Sequence, residues 1–243
     1  MLEFRNFSKT YKGGKRAVDN LSLRIEAGDV YGFIGHNGAG KTTSLRAAAG
    51  LLDFTEGEIL IDGKSVKTDP MACKRVTAYV PDNPDLYEYL SGMQYLRFIA
   101  DVFRLDNIQR RERIERYATA FEIDQNLGDA IASYSHGMKQ KLALTAALIH
   151  QPRLLILDEP FVGLDPIAVH TFKGFMQEIC DQGGAVFFST HVLDVAEKLC
   201  DKIAMIRQGR LIANGPTASV RGDSSLESAF LELENQKDGA QEA

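Results

Sequence analysis

Eight residues, Gly35-His-Asn-Gly-Ala-Gly-Lys-Thr42, leave this chain few folds to choose from. They fill G-x-x-x-x-G-K-[ST] at every fixed position, and their surroundings fit as well. A short apolar run, Val30–Ile34, precedes them, and a helical pattern follows to Leu51-Leu52. Successive backbone N–H groups turn inward around a phosphate only where glycines remove the Cβ clash. A helix starting near Lys41 adds its positive N-terminal dipole. The expected contacts are Gly35, His36, Asn37, Gly38, Ala39, Gly40, Lys41, Thr42 and Thr43. Lys41 would reach the outer phosphates, and the Thr42 hydroxyl would ligate Mg²⁺. At average glycine usage, an accidental match in a chain this long comes about once in a hundred. The segment predicts a nucleotide site.

A second run, Leu154-Leu-Ile-Leu-Asp158-Glu159-Pro160, is a buried-strand pattern ending in two acids. Ligands of parallel sheets sit at the carboxyl ends of strands, which puts Asp158 beside the phosphate loop. Asp158 is the expected Mg²⁺ partner and Glu159 the expected general base for an attacking water. Adjacent acids at a strand end are more commonly a solvated turn. Lys41 and Thr42 upstream reverse that balance.

The remainder alternates in the same way. Strand patterns fall at Leu2–Phe7, Leu21–Ile25, Glu58–Gly63, Val76–Val80, Ala185–Ser189 and Ile203–Arg207. The last pairs with Arg210–Ala213 around Gln208-Gly209 as a hairpin. Met93–Phe103, Ile108–Phe121 and Met138–Ile149 are helix-patterned, so an α/β core is interrupted by helices at about 86–150. The arginine-rich Arg110–Arg116 interleaves Glu112 and Glu115 and reads as a solvated, salt-bridge-laced face.

Charge separates the chain into two parts. The net -5 resides in Asp223–Ala243, because residues 1–222 hold 27 groups of each sign. A neutral body argues against coating nucleic acid, and no nucleic-acid partner is expected. The N-terminus does not resemble a signal peptide, and no apolar run approaches the ~20 residues of a membrane helix. Cys73, Cys180 and Cys200 match no metal spacing and read as reduced thiols.

With both segments in place, the sequence resembles the ATP-binding cassette family, the nucleotide-binding subunits of ABC transporters, over about residues 2–220. Tyr11 resembles the aromatic on which adenine stacks. Ser135-His-Gly137-Met-Lys-Gln140 resembles the family signature, whose serine and glycine amides meet the γ-phosphate of an opposite subunit. Gly163-Leu-Asp165 resembles the D-loop, and His191 the switch histidine on the γ-phosphate. Plainer readings stay open beside these: an edge-strand aromatic for Tyr11, a strand-end histidine for His191, and a helix N-cap for Asp165 before Pro166.

The resemblance implies a P-loop NTPase, RecA-like α/β core with an N-terminal antiparallel β subdomain and an inserted helical subdomain. Residues 1–222 would be one ATPase domain, with core at 1–85 and 151–222 and helices at about 86–150. Residues 223–243 would be a short acidic extension, helical around Leu226–Leu233 and loose from Asn235 to Ala243. Two departures stand out. The signature carries His136 where the family has a glycine and Met138 where it has a glutamine, and Asp82 stands where another glutamine usually faces Mg²⁺ and the water.

Leu86-Tyr-Glu-Tyr-Leu-Ser91 and Ser225–Leu233 look like the ABC-2 exporter branch. The implied protein hydrolyses ATP with Mg²⁺ at the cytoplasmic face of the cell membrane and serves a separate multi-span permease. It pairs with a second ATP-binding subunit, so that Lys41, Thr42, Asp158, Glu159 and His191 meet the partner's Ser135. The alternative is a soluble cassette ATPase acting on ribosomes or DNA.

Overall fold

The computed structural model describes the backbone of residues 1–238 and the side chains of 1–233. The alternating N-terminal segments form β1 (Leu2–Thr10) and β2 (Arg16–Ile25), each burying one face. The all-apolar β3 (Val30–Ile34) is buried on both faces and leads into α1 (Lys41–Ala48). This helix is shorter than the pattern to Leu52 predicts, because six loop residues precede it and Gly50, at φ 67°, closes its C-terminal end. Next come β4 (Glu56–Ile61), β5 (Lys64–Ser65), α2 (Pro70–Val76) and β6 (Thr77–Val80). Helices α3 (Gly92–Val102), α4 (Asn107–Ala120) and α5 (His136–Leu148) follow. Ser91 and Asp106 open α3 and α4 with capping boxes.

The chain then returns to β7 (Leu154–Asp158), α6 (Pro166–Asp181), β8 (Ala185–Thr190), α7 (Leu193–Leu199) and β9 (Lys202–Arg207). The expected hairpin links β9 to β10 (Arg210–Pro216), with Gln208 and Gly209 both at positive φ. Two helices end the described chain, α8 (Thr217–Arg221) and α9 (Leu226–Asp238).

Two sheets result. One is antiparallel, in the order β2-β1-β4-β5; the other runs β10-β9-β3-β8-β7-β6, parallel from β9 to β6. Because parallel strands carry apolar residues on both faces, the core divides in two. Leu155, Leu157, Val186 and Phe188 pack toward the helices, whereas Leu154, Ile156, Ala185 and Phe187 pack toward the antiparallel sheet. Strand β8 lies between β3 and β7, so the segments leaving these three strands emerge side by side.

Three features depart from the sequence pattern or add to it. The helix α2 was absent from the sequence pattern. The arginines of α4 pair away from their own helix: Arg110 with Asp101, Arg116 with Glu178 at 2.5 Å, and Arg113 with the Ile149 carbonyl at 3.0 Å. Ile114, Tyr117 and Ala118 bury α4 against its neighbours and bring these partners within reach. The end expected to be loose is helical to Asp238, and 239–243 lie outside the described residues. All three cysteines are free and buried.

Candidate active site

The loop after β3 is tightly packed from behind. A Cβ on Gly35 would lie 2.3 Å from the Ile206 carbonyl oxygen, and one on Gly40 2.5 Å from that of Ala17. Gly40 also sits at φ 112°, in the left-handed region. Sterics therefore demand glycine at both positions. Around the loop opens a pocket lined by His36, Asn37, Gly38, Gly40, Lys41, Thr42 and Thr43. Its other walls are Tyr11, Lys15 and Ala17 on one side and Asp82, Asp158 and Glu159 on the other. Two expected contacts stand behind this lining. Ala39 is buried, its N–H donating to the His36 carbonyl at 3.1 Å, and Gly35 offers its carbonyl to Lys41.

Lys41 is 6% exposed, and its Nζ donates to the carbonyls of Gly35 at 2.5 Å and His36 at 3.4 Å. Glu159 Oε1 lies 3.7 Å away. Burial pulls the Lys41 pKa below the ordinary lysine value, and the charges of Glu159 and Asp158 oppose that pull. The ammonium thus waits on neutral carbonyls beside two acids, where a phosphate oxygen would be a stronger partner.

Strand register places the acids. Asp158 pairs with Ser189 across β7 and β8, and the Ser189 hydroxyl donates to Asp158 Oδ1 at 2.5 Å. The next residue, Glu159, adopts φ 47°, and its N–H points at Ser189 Oγ at 3.1 Å. Left-handed geometry is costly for a residue with a Cβ, and this turn swings the Glu159 carboxylate over the loop. There Oε1 meets His191 Nδ1 at 2.9 Å, and Oε2 lies 3.4 Å from the His191 N–H. His191 does not line the pocket itself; it reaches it through Glu159. At the opposite end, the Tyr11 hydroxyl is 3.2 Å from Thr43 Oγ1, and the ring is 40% exposed.

The remaining expected residues stand apart. Ser135 caps α5, accepting from the Met138 N–H at 3.3 Å, and neither it nor Gly137 lines the pocket. A Cβ on Gly137 would come 2.7 Å from the Gly163 carbonyl, so the start of α5 and the loop after Glu159 are in contact. Asp165 is the N-cap of α6, accepting from the Ala168 N–H at 2.8 Å, and pairs with Lys141 at 2.7 Å. That lysine, followed by the Ala168 amide, holds the Asp165 pKa below the usual carboxylate range.

Residues 18–162 match the model of the family described as ABC transporter. The chain belongs to that family. It is 38% identical over 214 residues to the uncharacterized ABC transporter ATP-binding protein YhcH of Bacillus subtilis, covering 87% of this chain and 68% of that protein. Among solved structures it superposes on an ATP binding subunit of an ABC transporter with TM-score 0.92 and 32% identity, over 96% of this chain and 99% of that one. A second is cbiO1 of Clostridium perfringens, part of the ABC transporter complex cbiONQ: TM-score 0.78, 26% identity, 99% and 98% covered. This chain is thus an ATP-binding subunit of an ABC transporter and an ATPase.

Three residues of this ABC subunit's pocket were missed from sequence. Lys15 and Ala17 line it from the turn and strand after Tyr11, and Ser189 buttresses both acids. Ser189 had a signal, since it lies in the same Ser189-Thr-His191 stretch as the histidine.

The donors fit Mg²⁺. Thr42 and Asp158 line one pocket, and Asp158 Oδ1 is already engaged by Ser189. Among the described residues, no group of three His, Cys, Asp or Glu forms a cage. An ion that takes one or two protein oxygens and leaves the rest to phosphate and water suits that set.

Beside the pocket lies an apolar cleft, lined by Tyr79, Pro81, Leu86, Tyr95, Phe103 and His150. Tyr87, Tyr89 and Phe98 are exposed, and the Tyr87 ring contacts both of the others at about 6 Å. Among the described residues, no helix is long and apolar enough to cross a membrane.

Proposed function

We propose that this subunit powers an ABC-2 type exporter from the cytoplasmic face of the cell membrane, working in a pair and hydrolysing Mg²⁺-ATP. The meeting of Lys41 and Glu159 in one pocket, with His191 joined to Glu159 from behind, carries the reading. On ATP binding, Lys41 leaves the Gly35 and His36 carbonyls for the β- and γ-phosphates. The nucleotide's adenine stacks on Tyr11, and the amides of the Gly35–Thr43 loop surround its phosphates. Thr42 and Asp158 would hold the Mg²⁺, with Asp82 facing its water; the ion supplies positive charge against the phosphate oxygens. Glu159, steadied by His191, accepts the proton of the attacking water.

Ser135 and Gly137 sit at an exposed helix start outside this pocket, which supports their use by a second copy. In that pair ATP would be held from both sides, and loss of the γ-phosphate would release the closed form. The apolar cleft with its exposed tyrosines suits an amphipathic helix of a separate permease.

Glu159→Gln tests the reading. It keeps the shape and the ATP affinity, and turnover should fall by about a hundred- to ten-thousandfold. With hydrolysis blocked, ATP should shift the variant to a dimer on gel filtration. Wild-type turnover in the variant sinks the assigned base. Recovery of ribosomes or DNA from native-cell extracts, in place of a multi-span membrane protein, favours the soluble alternative.

A further inference from the structure

Helix α9 is more than a cap on the core. Leu226, Ala229 and Phe230 are buried, and the Leu226 N–H donates to Glu197 Oε2 of α7 at 2.9 Å. Arg221 reaches the same carboxylate at 3.2 Å. The polar contacts seat the start of α9. One turn further along, the Phe230 ring meets the His36 imidazole edge-on, with centroids 5.1 Å apart and planes at 62°. His36 is an exposed member of the phosphate loop, between the buried Gly35 and the pocket. Its carbonyl accepts from both the Ala39 N–H and Lys41 Nζ, so its position decides the shape of the loop.

We infer that Phe230 is a positioning residue for the nucleotide loop, holding His36 so that the cradle is formed before ATP arrives. A loop with left-handed glycines at 38 and 40 loses much backbone freedom on closing around phosphate. A fixed ring against His36 removes part of that loss in advance, and preorganisation of this kind acts on affinity. Among the described contacts, Phe230 does not touch Glu159 or His191, so the chemical step is unaffected. By linkage, a loop that α9 holds for ATP must in turn make ATP hold α9.

Two measurements on the full chain test this. Phe230→Leu keeps an apolar side chain but offers His36 no ring edge, whereas Phe230→Tyr keeps the ring. An aromatic contact of this type is worth a factor of about three to ten. KM for ATP should therefore rise about three- to tenfold in Phe230→Leu, with kcat within about twofold, and return to near wild type in Phe230→Tyr. In the wild-type chain, a non-hydrolysable ATP analogue should slow amide hydrogen exchange across 226–233 by a similar factor. Unchanged KM in Phe230→Leu overturns the inference, even if its melting temperature falls, because Phe230 then only packs. Exchange across 226–233 that ignores the nucleotide analogue overturns it as well.

Discussion

The nucleotide pocket and the apolar cleft are neighbours joined by one loop. Asp82 lines the pocket, whereas Pro81 and Pro84 on either side of it line the cleft. The two are built on opposite terms. In the pocket the charged groups already hold one another: Lys41 rests on carbonyls near Glu159, Glu159 on His191, and Asp158 on Ser189. At the cleft's rim, where Tyr87 meets the lining Tyr95, the large side chains lean on each other and still face water, with Tyr89 81% exposed. A site made of mutual partners keeps its shape alone. A site made of exposed rings is finished only by something that covers it.

Removing the pocket's buried cation should break that comparison most severely. Lys41→Ala deletes two charge-assisted contacts to phosphate, each worth about 1.5–3 kcal/mol. Nucleotide affinity should fall by roughly a hundredfold or more in a fluorescent-nucleotide titration. Unchanged affinity would mean that the loop's amides alone bind ATP and that Lys41 serves only its acidic neighbours.

The parts of this pocket that were legible in sequence are those that local sterics dictate. Gly35 and Gly40 sit against backbone oxygens at 2.3 and 2.5 Å, so their spacing cannot drift. Asp158 and Glu159 end an apolar run whose burial fixes where the acids emerge. What escaped notice depends on residues far apart in the chain. Ser189 meets Asp158 only through the β7–β8 register, and Phe230 meets His36 only after α9 has docked. The salt bridges expected on α4 are present, but the partners of Arg110, Arg113 and Arg116 lie on other elements and could not be read from α4 alone. Helix α2 is seven residues long, too short for an apolar period to declare itself, although Asp69-Pro70 marks its start.

His150 gives the cleft a titratable floor and a prediction of intermediate size. Its imidazole stacks on Phe103 at 3.7 Å between centroids, and its nitrogens come near backbone of Thr77 and Ala146 without a well-formed hydrogen bond. Burial pushes its pKa down to about 4 from the ordinary 6.5. Between these values the unfolded chain takes up a proton that the folded chain refuses, so stability falls as pH drops. The loss begins near pH 6.5, is complete below about pH 4, and totals about 3 kcal/mol. Urea unfolding at stepped pH should show this slope in the wild type and a shallower one in His150→Phe. Identical slopes would mean that His150 takes up its proton as readily in the folded cleft as in the unfolded chain.

The smallest effect on the isolated chain is expected at the cleft's rim, and it separates the two sites most cleanly. Glu88, between Tyr87 and Tyr89, is tied to Lys139 of α5 at 2.5 Å, so the segment is anchored while both rings face outward. A ring that is 81% exposed buries little, and replacing it should change folding stability by less than about 0.5 kcal/mol. Tyr89→Ser should accordingly leave melting temperature, ATP affinity and basal turnover near wild type. What should change is the recovery of a multi-span membrane protein in detergent pull-downs, which should drop several-fold. The loop through Asp82 makes the opposite outcome meaningful. If Tyr89→Ser shifts KM for ATP without any partner present, the rim and the pocket are coupled within one chain, and the cleft is part of the catalytic site.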